Sequence, residues 1–304
     1  MADAPPRARI VIPAYTNPGL RDCLDALRGL PDPVAFEVVV VLNGATLEVR
    51  RIAAGFAGWA TILEVPVNLG VGGGFNHGFA GSGCDYLVEL QDDAVVEAGW
   101  LDALVRCADR EPDAGAVGSL SLDREGRVRD PGHIAWRDGT TSPALVGGSR
   151  DPDRYTEVRA VDYHGSSGLL IRRRAWESVS GIDPGYYPAY YGDVDLCFRL
   201  RERGWRVLVE PRSRLRHAGA QSSTSGFRRF VAARLRQRFV DRHGDALALH
   251  GAPSSHPRAV ADEIARAARA PARPEPEPPT PAELAALQER LRFDPLQVLR
   301  RERD

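Results

Sequence analysis

Acidic residues gathered where an apolar run stops are the first sign of chemistry in this chain. Tyr86-Leu87-Val88 leads into Glu89-Leu90-Gln91-Asp92-Asp93. Adjacent carboxylates repel each other and cost stability unless a cation or hydrogen bonds offset them. Mg2+ and Mn2+ take oxygen ligands, and one or two carboxylates plus substrate phosphates usually hold them. Asp93 is therefore a candidate metal ligand, with Gln91 and Asp92 beside it. An ordinary solvated strand-end turn is the competing reading of this pair. His217, in Arg216-His217-Ala218-Gly219-Ala220-Gln221, follows another apolar run and is a second candidate ligand.

Two further stretches carry polar chemistry. Asn68 to Gly78 holds five glycines in nine positions, 70 to 78, between a strand and a helix. Glycine lets backbone approach a ligand closely, and the two asparagines suit a polar one. It is not a dinucleotide fingerprint: counted from Gly70 or Gly72, the third glycine position holds Phe75 or His77. Tight strand–helix packing is the structural alternative. In Tyr190-Tyr191-Gly192-Asp193-Val194-Asp195, Asp193 falls at a helix start. There a carboxylate serves as a cap or, with aromatic neighbours limiting its solvation, as a general base.

The elements that would position these residues follow from the apolar pattern. Strands are expected at Ala8–Pro13, Phe36–Leu42, Thr61–Pro66, Asp85–Leu90 and Ala114–Ser119. Helices are expected between them at Pro18–Leu30, Leu47–Gly58, Val71–Gly81 and Gly99–Arg110. Phe36–Leu42 is continuously apolar, as a strand buried on both faces must be. Strict alternation of strand and helix predicts a doubly wound, mostly parallel α/β sheet with its ligand crevice at the carboxyl ends of the strands. From Leu120 to Arg159 the periodicity fails, and a hairpin at Val128–Trp136 is the one regular element expected. Structure resumes with Val161–Arg173, a helix at Asp193–Arg203, and two short strands, Trp205–Glu210 and Arg214–His217. Helices at Phe227–His243 and Ala259–Ala270, a Pro/Glu linker near 271–281 and a helix at Ala282–Arg292 complete the chain. This divides it into a domain at 1–222 and a C-terminal helical extension at 223–304.

Composition narrows the chemistry. All 40 basic residues are arginine, so Schiff-base, P-loop and general-base lysines are excluded. A net charge of -1 gives no basis for nucleic-acid binding. Cys23, Cys84, Cys107 and Cys197 form no CxxC pair and are expected to be buried thiols. With no apolar run of about 20 residues and no signal-like N-terminus, the expected location is the cytoplasm, with peripheral contact at the inner face of a membrane.

Taken in order, five motifs resemble the family 2 glycosyltransferases of the rhamnosyltransferase-like branch over residues 8 to 222. They are Val11-Ile-Pro-Ala-Tyr15 with Cys23-Leu24, the Asn68–Gly78 loop, Gln91-Asp-Asp-Ala-Val-Val-Glu-Ala-Gly-Trp-Leu101, Gly168-Leu-Leu-Ile-Arg-Arg173, and Tyr190 to Trp205 with Arg216 to Ser222. The resemblance implies a GT-A fold and inversion at the anomeric carbon. It implies a dTDP- or UDP-sugar donor, and a glycan, glycolipid or small-molecule acceptor. Asp93 would hold the divalent metal, Mg2+ or Mn2+, with His217 as a further metal or phosphate ligand. Asp193 would be the base, and Asn43, Asn68, Gly70, Asn76, Gly78, Gln91 and Asp92 would bind the donor. Three positions depart from the pattern: Leu42 and Gly192 replace acids, and Gln91 opens the DxD-type motif. The Gly192 departure keeps Asp195 as a second candidate base. A non-catalytic nucleotide- or glycan-binding relative is the alternative function. A sugar nucleotidylyltransferase is a third, disfavoured because Pro13-Ala-Tyr-Thr-Asn-Pro-Gly19 lacks the expected basic loop. Oligomeric state is not legible in the sequence.

Overall fold

The computed structural model describes residues 5–217 and 225–269, together with Thr280 and Ala282. Elements run in the order β1 (Ala8–Ala14), α1 (Leu20–Arg28), β2 (Phe36–Asn43), α2 (Leu47–Ala54), β3 (Thr61–Val65), α3 (Gly70–Phe79), β4 (Tyr86–Glu89), β5 (Ala94–Val96) and α4 (Trp100–Arg110). Next come β6 (Ala114–Leu122), β7 (Val128–Asp130), β8 (His133–Ala135), β9 (Thr141–Pro143), β10 (Arg159–Ala160), β11 (Leu169–Arg172) and α5 (Arg173–Ser178). The last are α6 (Gly192–Glu202), β12 (Arg206–His217), α7 (Ser225–Leu247) and α8 (Pro257–Ala268). The expected helix at Ala282–Arg292 lies outside the described residues, apart from Ala282.

One mixed sheet organises the molecule, in the order β10-β12-β6-β11-β4-β1-β2-β3, with β5 added to β12 and β7 to β6. The β3-β2-β1-β4 half is parallel throughout. β11 runs antiparallel to both β4 and β6, and β5 and β10 antiparallel to β12, so this half departs from an all-parallel doubly wound sheet. Side-chain alternation along the buried strands feeds two cores. Ile10, Ile12, Val38, Val40 and Val88 pack under α1, α2 and α4, through Leu24, Ile52, Trp100 and Leu104. Val11, Val39, Val41 and Leu87 face the other way, toward Phe75 and Phe79 of α3, Leu196 and Leu200 of α6, and Phe239 of α7. All four cysteines are buried and free.

Several expectations are corrected by non-local pairing. No hairpin joins residues 128 to 136. β7 folds back on β6, β8 pairs with β9, and Gly132, at φ +78°, turns the chain between them. The two short strands expected before His217 are one strand, β12, bearing a register shift between Glu210 and Arg214. β5 and α5 have too few residues to show a period in the sequence. α7 and α8 bury Val231, Leu235, Phe239 and Val260 in the same core as α6, so they pack as part of the main body.

Candidate functional site

Strand register assembles one half of the site. β5 pairs antiparallel with the end of β12 so that Ala94 faces His217, which brings the preceding residue, Asp93, beside the imidazole. His217 Nε2 lies 2.9 Å from Asp93 Oδ1, with both side chains about nine-tenths buried. That contact is not aligned as a hydrogen bond: among the described residues, the buried Nε2 has no hydrogen-bond partner. Two ligand atoms each about 2.1 Å from an octahedral cation, at right angles, sit about 3 Å apart. A divalent cation therefore fits this oxygen–nitrogen pair. Asp92 is held by the turn after β1, where Asn17 Nδ2 donates to its Oδ1 at 3.4 Å. Burial, and then the neighbouring Asp93 charge, push its pKa up to about 7. Gln91 Nε2 donates to Ser166 Oγ at 3.1 Å.

The other half lies at the start of α6. Tyr190 and Tyr191 take left-handed backbone conformations, at φ 72° and 60°, and turn the chain sharply into the helix. Such conformations are costly for tyrosine and persist where surrounding structure enforces them. Here the Tyr191 hydroxyl donates to Gly139 O at 2.9 Å. Asp193 then sits in the first helical turn, accepting from Val194 N at 2.9 Å. That backbone bond favours the ionised form, but burial outweighs it and raises the Asp193 pKa to about 6.

Between the halves stands Asp130, at the end of β7. Its Oδ1 accepts from Gly132 N at 2.9 Å, with His133 Nδ1 at 3.3 Å and His164 Nε2 at 3.9 Å. Burial opposes its charge, yet His133, His164 and His217 together hold its pKa below the usual carboxylate value. Asp130 in turn contributes to the raised pKa of Asp193. It is thus within electrostatic reach of both His217 and Asp193, which makes the two halves neighbours.

This geometry has relatives among known proteins. A model of the family described as glycosyl transferase family 2 matches residues 9–175. The chain belongs to that family. Among curated relatives, the N-acetylglucosaminyl-diphospho-decaprenol L-rhamnosyltransferase of Mycobacterium tuberculosis is 28% identical over 238 residues, covering 68% of this chain and 75% of the relative. The pre-mycofactocin glycosyltransferase of the same species is 29% identical, over 68% of this chain but 42% of its own length. Among solved structures, a mannosyltransferase from Pyrobaculum calidifontis, in complex with GDP-Man and Mn2+, superposes with a TM-score of 0.56. It is 19% identical, with 98% of this chain and 84% of that chain covered. GalNAc-T7 with UDP, GalNAc and Mn2+ gives a TM-score of 0.59 at 14% identity, covering 90% and 59%. These two establish the GT-A fold. The protein is a glycosyltransferase, and the nucleotidylyltransferase and non-catalytic readings give way to it.

Within this family 2 glycosyltransferase, the expected site residues divide. Asp93 meets His217 with Gln91 and Asp92 just before it in the chain, and Asp130 lies within electrostatic reach of both His217 and Asp193. Asn43, Asn68 and Gly70 bind one another: Asn43 Oδ1 accepts from Leu69 N at 2.7 Å, and its Nδ2 donates to Gly70 O at 3.0 Å and Asn68 Oδ1 at 3.3 Å. They shape the loop from within. Asn76 and Gly78 make packing contacts. Asn76 exchanges two hydrogen bonds with the Ile182 backbone, and a Cβ on Gly78 would come within 2.3 Å of Val11 Cγ1. Asp195 lies deeper in the core. It is fully buried, accepting from Arg199 Nε at 2.6 Å and Tyr186 OH at 3.1 Å, with His243 Nε2 at 3.0 Å. Burial alone would raise its pKa, but the bond to His243 and the arginine charges hold it low, and its oxygens anchor α7 to α6.

Sequence reasoning missed Asp130 and His133, which lie in the 120–159 stretch where periodicity fails, and His164, which no motif singled out. Glu89 was visible but assigned no role. It is fully buried, and neither carboxyl oxygen has a hydrogen-bond partner among the described residues. Burial and then Asp193 push its pKa well above the ordinary range. Its signal was a glutamate inside a strand otherwise buried and apolar. Asp162, His250 and Glu263 also cluster, but Arg266 bridges Asp162 at 2.5 Å and Glu263 at 2.6 Å, so an arginine already supplies the cation there.

Proposed function

We propose that this glycosyltransferase inverts the anomeric centre, drawing its sugar from a dTDP- or UDP-linked donor, with Asp193 as the general base. The observation that carries this reading is a poised carboxylate, Asp193, linked electrostatically through Asp130 to the Asp93–His217 pair. A base with a pKa near 6 is ionised at neutral pH yet basic enough to accept a hydroxyl proton. Asp193 would take that proton as the acceptor oxygen bonds to the anomeric carbon and the nucleoside diphosphate departs from the opposite face. Asp93 and His217 would hold the divalent cation, Mg2+ or Mn2+, which when bound offsets negative charge on the diphosphate leaving group. Asp195 is set aside as base because its oxygens are committed to cations and a hydroxyl inside the core.

The name of the Mycobacterium tuberculosis relative supports a deoxyhexose such as L-rhamnose as the transferred sugar, with a lipid-linked glycan among acceptor classes. No described helix is long and apolar enough to cross a membrane. A panel of dTDP-, UDP- and GDP-sugars with Mn2+ or Mg2+, read by nucleoside diphosphate release, tests the donor. Asp93→Asn should abolish the metal-dependent part of nucleotide binding in calorimetry. Unchanged metal dependence in that variant would sink the assignment of Asp93.

A further inference from the structure

The residue opposite the base is the unexplained part of this cleft. Gly165 has no side chain, and a Cβ placed there would lie 3.2 Å from Asp130 Oδ2 and 3.8 Å from Asp193 Oδ2. Two carboxylate oxygens therefore face the same space, one from β7 and one from α6, above a residue that leaves it open. Asp130 is braced from behind, because Gly132 N holds its other oxygen and the fully buried His164 is pinned by Ser119 O and Gly165 O, each at 2.7 Å. Beside it His133 stacks on Tyr163, with ring centroids 4.7 Å apart and planes 15° from parallel. The Tyr163 hydroxyl is spent on Thr141 Oγ1 at 3.0 Å, which fixes the stack. His133 Nδ1 is buried with no hydrogen-bond partner among the described residues, although Asp130 lies 3.3 Å away.

A carboxylate accepts hydrogen bonds and donates none, so a ligand group between Asp130 and Asp193 must bring its own protons. A cation would also suit paired carboxylates, but among the described residues the set of three ligand atoms close enough together to share a metal ion lies elsewhere, at Asp162, His250 and Glu263. An uncharged group with two adjacent hydroxyls satisfies both carboxylates at once. The geometry points to Asp130, supported by His133, as the residue that selects an acceptor bearing a vicinal diol, Asp193 taking one hydroxyl and Asp130 the other. The acceptor is thereby a sugar ring or similar polyol rather than a simple alcohol or a phenol. This rests on Asp193 being the base. Asp130 fixes which hydroxyl is presented and takes no proton itself; the proton of the attacking hydroxyl goes to Asp193 and that of its neighbour stays in place.

The test uses the full chain, the donor that the panel identifies, and five probes: octyl glucoside, octyl N-acetylglucosaminide, octyl galactoside, 1-octanol and 4-octylphenol. Transfer to each probe is measured against donor hydrolysis in the same reaction. The wild type should transfer to at least one glycoside and to neither 1-octanol nor the phenol. Asp130→Asn should lower the ratio of transfer to hydrolysis by about 10- to 100-fold, mainly through the acceptor KM, as loss of a charge-assisted hydrogen bond implies. A merely structural defect would lower transfer and hydrolysis together and leave that ratio alone. Single-deoxy versions of the accepted glycoside provide the second arm: the wild type should lose about tenfold or more with one of them, and Asp130→Asn should lose little further. His133→Phe, which keeps the stack but removes the ring nitrogens, should lower the same ratio. An unaltered ratio in Asp130→Asn, equal use of 1-octanol or the phenol, or no transfer to any glycoside overturns the diol assignment. Donor hydrolysis that persists in Asp193→Asn overturns instead the reading on which it rests.

Discussion

Asp193 shows how a single carboxylate trades stability for reactivity. Its pKa, raised to about 6, means that the folded protein disfavours the charged form. The stability linked to this group is therefore full below the ordinary aspartate range and lost as pH rises through about 6. Turnover runs the opposite way, because the ionised form is the base, so kcat/KM should rise through about pH 6. Asp193→Asn keeps an oxygen for Val194 N and removes the charge. It should lower kcat by about 100- to 10,000-fold and yet raise Tm at pH 7.5, with little change at pH 4. A lower Tm at pH 7.5 would contradict burial as the source of the shift.

At the scale of elements, short pieces of backbone do the positioning. β5 has three residues, and its pairing with Leu215, Arg216 and His217 delivers Asp93 to its partner. α3 carries five glycines, and two of them press on the sheet. A Cβ on Gly74 would meet Pro13 Cβ at 2.7 Å, and one on Gly78 would meet Val11 Cγ1 at 2.3 Å. Gly78→Ala should therefore cost about 1–3 kcal/mol in urea unfolding, with nucleotide affinity of the folded protein unchanged. A loss of affinity without loss of stability would return Gly78 to the donor pocket. Glycine content is legible in a sequence. Whether the bare backbone meets a ligand or a neighbouring strand depends on packing that no local pattern encodes.

At the scale of the whole molecule, the C-terminal helices secure the helix that carries Asp193. His243 on α7 reaches Asp195 at 3.0 Å and Glu202 at 2.7 Å, near the two ends of α6. Burial opposes protonation of this imidazole, but its two carboxylate partners raise its pKa above the usual histidine value. That stability is full below the ordinary histidine range and is lost as pH rises through the raised value. Phe239 is fully buried and packs edge-on against Phe198, with ring centroids 4.8 Å apart. Phe239→Ala should cost about 3–5 kcal/mol, measured by chemical unfolding. If α7 were an independent module, that substitution would leave the main transition in place.

The sequence by itself determined the parallel half of the sheet, from β1 through β4, because buried parallel strands are continuously apolar and their helices carry a clear period. It also determined the strand-end acids, His217 and the arginine-only basic complement, since these depend on residue identity and order alone. The tertiary structure decided what pairs with what. β11 enters antiparallel, β5 sets Asp93 against His217, and Asp195 turns inward while Asp193, two residues earlier, keeps an edge on the cleft. Asp130, His133 and His164 come together only through contacts between segments 29 or more residues apart in the chain, 130–133 and 164 against Asp193 or His217. The physical reason is that residue type sets which chemistry is available, whereas burial, charge neighbours and register are properties of contacts across the fold.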